Sequence, residues 1–211
     1  MNLKTALITT LATTALSACS AIKSETPAVP DNSMSYFITS VNPGSGADLG
    51  GLAGADEYCS ELASSVGVTG KSWKAYLSSS TENARDRIGS GPWFNADGIV
   101  VATSVDNLHS DSNNLTKLTS VSETGAVING RGDEPNRHDI LTGSDVDGNA
   151  TDSTCDDWTS NGAGSAMVGH HDRTGGGDNP TAWNSAHGSR GCSIEDLQGT
   201  GGDGLFYCFA E

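Results

Sequence analysis

Gly51-Leu52-Ala53-Gly54-Ala55-Asp56-Glu57-Tyr58-Cys59-Ser60-Glu61-Leu62-Ala63-Ser64-Ser65-Val66 decides how the rest of the chain folds. Its apolar residues fall at Leu52, Ala55, Tyr58, Cys59, Leu62, Ala63 and Val66, the spacing that lines one face of an α-helix. Cys59 is therefore expected on the buried face of a first helix, which Gly67 and Gly70 end because glycine enters the left-handed conformation most readily. On either side the period changes from helix to strand. Ser35-Tyr36-Phe37-Ile38-Thr39 is a short β-prone run, and Trp73, Ala75 and Leu77 alternate with Lys74, Tyr76 and Ser78. Leu205-Phe206-Tyr207-Cys208-Phe209 reads as the closing strand.

Between these anchors the signals are weaker. Thr81 to Ile88 has capping potential and predicts a second short helix, broken by Gly91-Pro92-Trp93. Ile99-Val100-Val101-Ala102 predicts a strand, and Val127-Ile128 and Ile140-Leu141-Thr142 predict two brief ones flanking a loop. Ser104 to Ser122 is polar and shows no period. Beyond Trp158 the chain is rich in Gly, Asn and Asp and reads as a long loop. Two helices, many short and mostly antiparallel strands and long Gly/Asp-rich loops make an α+β domain.

The amino end carries a different message. Lys4 precedes an apolar and small-residue run ending near Leu16, the order of a secretion signal, and that run is too short to span a ~30 Å hydrocarbon core. Leu16-Ser17-Ala18-Cys19 then fits cleavage before Cys19, with lipid on its thiol and on the freed amine. Residues 1–18 are thus expected to be a lipoprotein signal peptide, 19–34 the lipidated cysteine and a flexible polar tether, and 35–211 one folded domain. Ser20, where an Asp would favour inner-membrane retention, points to the outer membrane. Setting Cys19 aside leaves Cys59, Cys155, Cys192 and Cys208, an even set that implies two disulfides in an oxidising compartment. Spacing alone does not choose among their three pairings.

The chain holds 11 basic and 26 acidic residues, a net charge of −15. Loss of Lys4 with the leader makes the mature protein more acidic still. Nucleic acid and anionic headgroups repel such a chain, so basic-patch functions are excluded and the membrane is reached through lipid.

Gly54-Ala55-Asp56-Glu57-Tyr58-Cys59, Trp73-Lys74-Ala75-Tyr76-Leu77-Ser78-Ser79, Gly91-Pro92-Trp93, Leu141 to Gly148, Cys155-Asp156-Asp157-Trp158-Thr159, Cys192 and Leu205 to Phe209 follow one another in an order that resembles the endostatin domain of collagens. They resemble even more a set of bacterial lipoproteins with the same C-type-lectin-like fold. The resemblance covers about residues 35 to 211. It implies nested disulfides, Cys59 with Cys208 and Cys155 with Cys192. Two features of endostatin do not carry over. Its heparan-binding arginine cluster has no counterpart among the scattered arginines here, and its amino-terminal zinc histidines are missing between Ser35 and Gly70.

Candidate ligand residues lie in the loops. Asp145, Asp147 and Asn149 around Gly148, with Asp152 nearby, alternate oxygen donors as a calcium loop does, although an Asp-Gly turn accounts for the same residues. Glu134-Pro135-Asn136 resembles the sugar-binding tripeptide of calcium-dependent lectins but lies well before Cys155. Arg131-Gly132-Asp133 is an integrin-type triplet of the sort that arises by chance. His170, His171 and His187 are candidate metal or ligand contacts, against the reading that they are solvated loop histidines. Trp73, Trp93 and Trp158 are expected in the core, and Trp183 as the exposed aromatic of the Gly-rich loop. No His-Glu-x-x-His, Gly-x-Ser-x-Gly or phosphate loop is present. The expectation is a non-enzymatic binding or adhesion module on the cell envelope, taking a glycan or an extracellular protein through loops 129–136 and 161–191. No cofactor is required, with calcium the one candidate. The alternatives are a structural envelope protein and, more remotely, a carbohydrate-active enzyme.

Overall fold

The computed structural model describes residues 33–211. The expected leader, Cys19 and the tether as far as residue 32 lie outside the described residues. Among those described, no helix is long and apolar enough to cross a membrane.

The main sheet is built around the last strand. β8 (Gly202–Ala210) pairs antiparallel with β1 (Tyr36–Ile38) and with β2 (Trp73–Ala75), so that Cys208 is flanked by Phe37 and Ala75. Its amino-terminal half pairs in parallel with β5 (Asp139–Leu141), which continues antiparallel into β6 (Met167–His170) and then β7 (His187–Gly188). A separate hairpin joins β3 (Trp93–Phe94) to β4 (Val100–Ala102).

Strand periodicity sorts the core into two layers. Phe206, Cys208 and Ala210 face one cluster with Phe37, Trp73, Ala75, Leu141 and Val168. Leu205, Tyr207 and Phe209 face the other with Tyr36, Ile38, Tyr76, Trp93 and Trp183. A strand buried on both faces needs an unbroken apolar run, which is what Leu205 to Ala210 supplies. Each large side chain so buried contributes ~1.5–3 kcal/mol.

The helix α1 (Gly51–Ser65) covers the first layer with Ala55, Cys59 and Ala63. Asp56, one residue along, accepts the Ala75 N–H at 2.9 Å and pairs with Lys74 and Arg87, each at 3.0 Å. That carboxylate thus fixes α1 against β2 and against α2 (Ala84–Arg87). Among the described residues α1 is the sole long helix; α2, α3 (Val105–Leu108), α4 (Cys155–Trp158) and α5 (Ile194–Gln198) are turns of four or five residues. The second short helix expected between Thr81 and Ile88 is α2, and α3, α4 and α5 are additional to the expected pair.

α4 is left-handed. Cys155, Asp156, Asp157 and Trp158 have φ of 50°, 54°, 52° and 67°. Such a run is unfavourable for L-residues, and its surroundings hold it. Asp157 accepts the Ser80 N–H at 2.7 Å and the Ser80 hydroxyl at 2.5 Å, and the buried Trp158 donates its indole N–H to the Ser78 carbonyl at 2.7 Å.

Two further expectations change. Val127 makes one isolated bridge, to Val121, so 127–128 is not a strand. The Gly-rich stretch beyond Trp158 is not one loop; it contains β6, β7 and α5. Ladder pairing, not local hydropathy, orders it. Gly169 shows why small residues are needed there: a Cβ would lie 1.8 Å from the Trp183 carbonyl oxygen.

The disulfides join Cys59 to Cys208 and Cys155 to Cys192, across 149 and 37 residues. By loop entropy alone these would contribute ~5 and ~4 kcal/mol. Replacing Cys59 and Cys208 together with Ala should lower unfolding free energy by ~3–5 kcal/mol, and by more than the Cys155/Cys192 double replacement, as chemical denaturation would measure.

Candidate functional site

β5, β6 and β7 carry an unexpected set of side chains at one end of their shared face. Register places Asp139 opposite His170, and His187 opposite Val168, two residues before His170 on the same side. Leu141 and Val168 continue this face into the core. The face thus runs from apolar to titratable without leaving the sheet. His138 joins from the position just before β5, its ring stacked on His170 with centroids 4.2 Å apart and planes 12° from parallel.

The three imidazoles converge on one oxygen. Asp139 Oδ1 lies 3.1 Å from His138 Nε2, 3.3 Å from His170 Nε2 and 3.5 Å from His187 Nε2. Asp139, His138 and His170 are buried, while His187 is partly exposed at the rim. Neither carboxylate oxygen of Asp139 has a hydrogen-bond partner, and neither has His170 Nε2. Burial pushes the Asp139 carboxyl upward, but His170 and His187 more than offset this and hold it below the usual range. Among the described residues, His138, Asp139 and His170 form the one group whose ligand atoms all lie within 4.8 Å of one another.

Each ring is oriented from behind. His138 Nδ1 donates to the Thr174 carbonyl at 3.1 Å, His170 Nδ1 to the Pro180 carbonyl at 2.8 Å, and His187 Nδ1 to the Gly188 carbonyl at 3.1 Å. A carbonyl can only accept, so every Nδ1 carries a proton and every neutral ring presents its Nε2 lone pair to the cluster. Asp172 supports His138 from 3.4 Å and accepts the Arg131 N–H at 2.6 Å and the Thr174 N–H at 3.2 Å. Burial raises the Asp172 carboxyl, but the His138 ring and these N–H donors outweigh it and leave it strongly acidic. Glycines fill the remaining space: a Cβ on Gly175 would come within 2.4 Å of the His170 ring, and one on Gly201 within 2.9 Å of His138.

The cluster floors a cavity of about 490 Å³ whose walls include Arg131, Asn136, Gly177, Arg190 and Thr200. Arg131 and Arg190 are exposed at its mouth, and neither forms an ion pair among the described residues. The rim is cationic on a chain of net charge −15.

The expected site residues fare unevenly. His170, His187 and Asn136 come together here. His171 does not: its ring points the other way, with Nε2 donating to the Asn129 carbonyl at 3.1 Å. Both His170 and His171 are fully buried, so the solvated-loop reading is corrected. Trp183 is also corrected, from exposed platform to core: it is 3% exposed, with its ring 4.7 Å from Tyr76 and 5.2 Å from Tyr207. Glu134 lines a neighbouring cavity with Arg137 and Asp203, apart from the histidines.

Asp145, Asp147, Asn149 and Asp152 do not converge. Asp145 Oδ1 accepts the N–H groups of Asp147 at 3.0 Å and Asn149 at 2.9 Å, closing an Asp-Gly turn, and Asp152 is exposed. In the Arg131-Gly132-Asp133 triplet, Asp133 is tied to Lys117 and to the Gly130 N–H. His138 and Asp139 went unnoticed in the sequence. Their signal is a titratable pair running directly into the apolar Ile140-Leu141.

Burial holds the His171 imidazole below its ordinary value of 6.5. Its neutral form therefore stabilises the fold above that value, and this contribution is lost as pH falls through it towards the folded pKa. His171→Gln should flatten the decline in unfolding free energy between about pH 6.5 and 5, as denaturant titrations across pH would show.

No protein-family model matches the chain, and no curated protein matches it.

Proposed function

We propose that this protein is a lipid-anchored binding module of the bacterial cell envelope, an outer-membrane lipoprotein that holds a C-type-lectin-like domain away from the membrane through Cys19 and its tether. The observation that carries the binding reading is the cavity of about 490 Å³. The two segments expected to form a ligand face, 129–136 and 161–191, both contribute to its wall. Concavity, a few convergent polar groups and perturbed titratable residues are the usual marks of a ligand site. Support for the lectin-like fold comes from the antiparallel pairing of the first and last strands and from the two disulfides. The ligand is an acidic glycan, because Arg131 and Arg190 at the rim suit carboxylate or sulfate groups that the rest of this acidic surface would repel.

Full-length protein screened on an array of neutral and acidic glycans should retain uronic-acid or sulfated chains. Replacing both Arg131 and Arg190 with Ser should abolish that retention without changing the melting temperature. Absence of binding to every glycan would instead favour the structural-envelope alternative. Separately, Cys19→Ala should move the protein from the membrane fraction to the soluble fraction, as cell fractionation would report.

A further inference from the structure

We propose that His138, Asp139 and His170, with His187 at the rim, form a site for one borderline divalent transition-metal ion of the zinc class, open towards the cavity. None of these residues falls between Ser35 and Gly70, where collagen endostatin has its zinc histidines.

Three observations lead there. The first is an unresolved excess of electron pairs. Three imidazole Nε2 atoms converge on one buried carboxylate oxygen, and neither Asp139 oxygen nor His170 Nε2 has a hydrogen-bond partner. The hydrogen bonds that fix Nδ1 as the protonated nitrogen leave the rings nothing to donate inward unless they become cations. Protonating His138 and His170 together would stack two like charges 4.2 Å apart. A metal ion at the centre satisfies all the donors at once.

The second is distance. Four ligand atoms bonded at ~2.0–2.1 Å to a tetrahedral ion lie about 3.3–3.4 Å from one another. The separations of His138 and His170 from Asp139 Oδ1, 3.1 and 3.3 Å, lie close to that edge, while His187, 3.5 Å from the same oxygen, stands outside the group whose ligand atoms all lie within 4.8 Å of one another.

The third is the support behind the donors. Histidine ligands ordinarily donate their second nitrogen to a carbonyl or carboxylate, which fixes the tautomer. Here all three do so, and Asp172 adds a carboxylate behind His138. Gly175 and Gly201 pack on the rings with no room for a side chain, so the imidazoles are held before any ion arrives.

Imidazole nitrogen with a single carboxylate selects zinc, cobalt or nickel over calcium and magnesium, which take oxygen ligands and more of them. His138, Asp139 and His170 leave a fourth position facing the cavity, open to His187 or to an oxygen of an anionic group held between Arg131 and Arg190. That last step rests on the cavity being the ligand site; the metal assignment rests on the donors alone.

Full-length protein is stripped with a chelator and titrated without glycan, using Zn²⁺ and Ca²⁺ by calorimetry and Co²⁺ by visible absorption. Circular dichroism and intact disulfides verify the fold of each variant. One equivalent of zinc should bind and raise the melting temperature, Co²⁺ should give the intense visible bands of a four-coordinate site, and Ca²⁺ should not compete. Asp139→Asn should weaken zinc binding at least ~100-fold, and His187→Ala by ~10-fold. Gly175→Ala, which alters no ligand but displaces His170, should weaken it as well. If Asp139→Asn does not fold, His138→Gln carries the same expectation as Asp139→Asn. Stripped, folded wild-type protein that takes up no zinc would overturn the proposal, and so would unchanged zinc affinity in the folded Asp139→Asn or His138→Gln protein. Failure on the glycan array leaves this outcome untouched, and the reverse holds, so the two readings fail separately.

Discussion

Both edges of β8 are occupied at Cys208, by Phe37 of β1 and Ala75 of β2, and both its faces are buried. It is the longest of the described strands, and the remaining elements take their positions from it. Phe206, Cys208 and Ala210 give α1 a surface to cover, while Leu205, Tyr207 and Phe209 give Tyr76 and Trp183 theirs. The Cys59–Cys208 disulfide joins the carboxyl-terminal part of that strand to the buried face of α1. Because β5 pairs with the amino-terminal half of β8, the orientation of β6 and β7 also follows from it.

This dependence explains which parts of the fold were legible in the sequence. α1 and β8 announce themselves because their burial follows a local period, helical over residues 51–66 and continuous over 205–209. The even cysteine set was equally plain. The candidate site was much less so. Its residues stand at 138, 139, 170 and 187, and those at 170 and 187 lie in a stretch rich in glycine and polar residues that reads as solvated loop. Their burial comes from partners far away in sequence: Asp139 is enclosed because β5 lies between β6 and β8, and His170 because Gly169 allows the chain at Trp183 to approach its backbone. Trp183 misled for the same reason, since a tryptophan in a Gly-rich stretch carries no local mark of the tyrosines it meets.

The glycines of the stretch after Trp158 also acquire a different meaning. Their number suggested a chain with little to pack. Gly169, Gly175 and Gly177 instead sit where backbone or imidazole leaves no space for a Cβ, so the composition records close approach as much as freedom. Acidic composition is misleading in a similar way. Net charge describes the surface as a whole, whereas the cavity at the end of β5 and β6 has arginines at its rim and histidines on its floor.

The antiparallel pairing of β1 with β8 has a mechanical consequence. Tyr36 pairs with Phe209 near one end of β8, while the cavity lies beside Gly202 at the other, about 23 Å away along a nine-residue strand. A load applied at the cavity and resisted at the amino end of β1 therefore pulls the two strands past each other along their length. Their cross-strand hydrogen bonds lie perpendicular to that pull and share it at once, rather than opening one after another. With Cys208 bonded to Cys59, the tension also passes into α1. A domain of this topology resists a pull along β1 and β8 by shear rather than by unzipping.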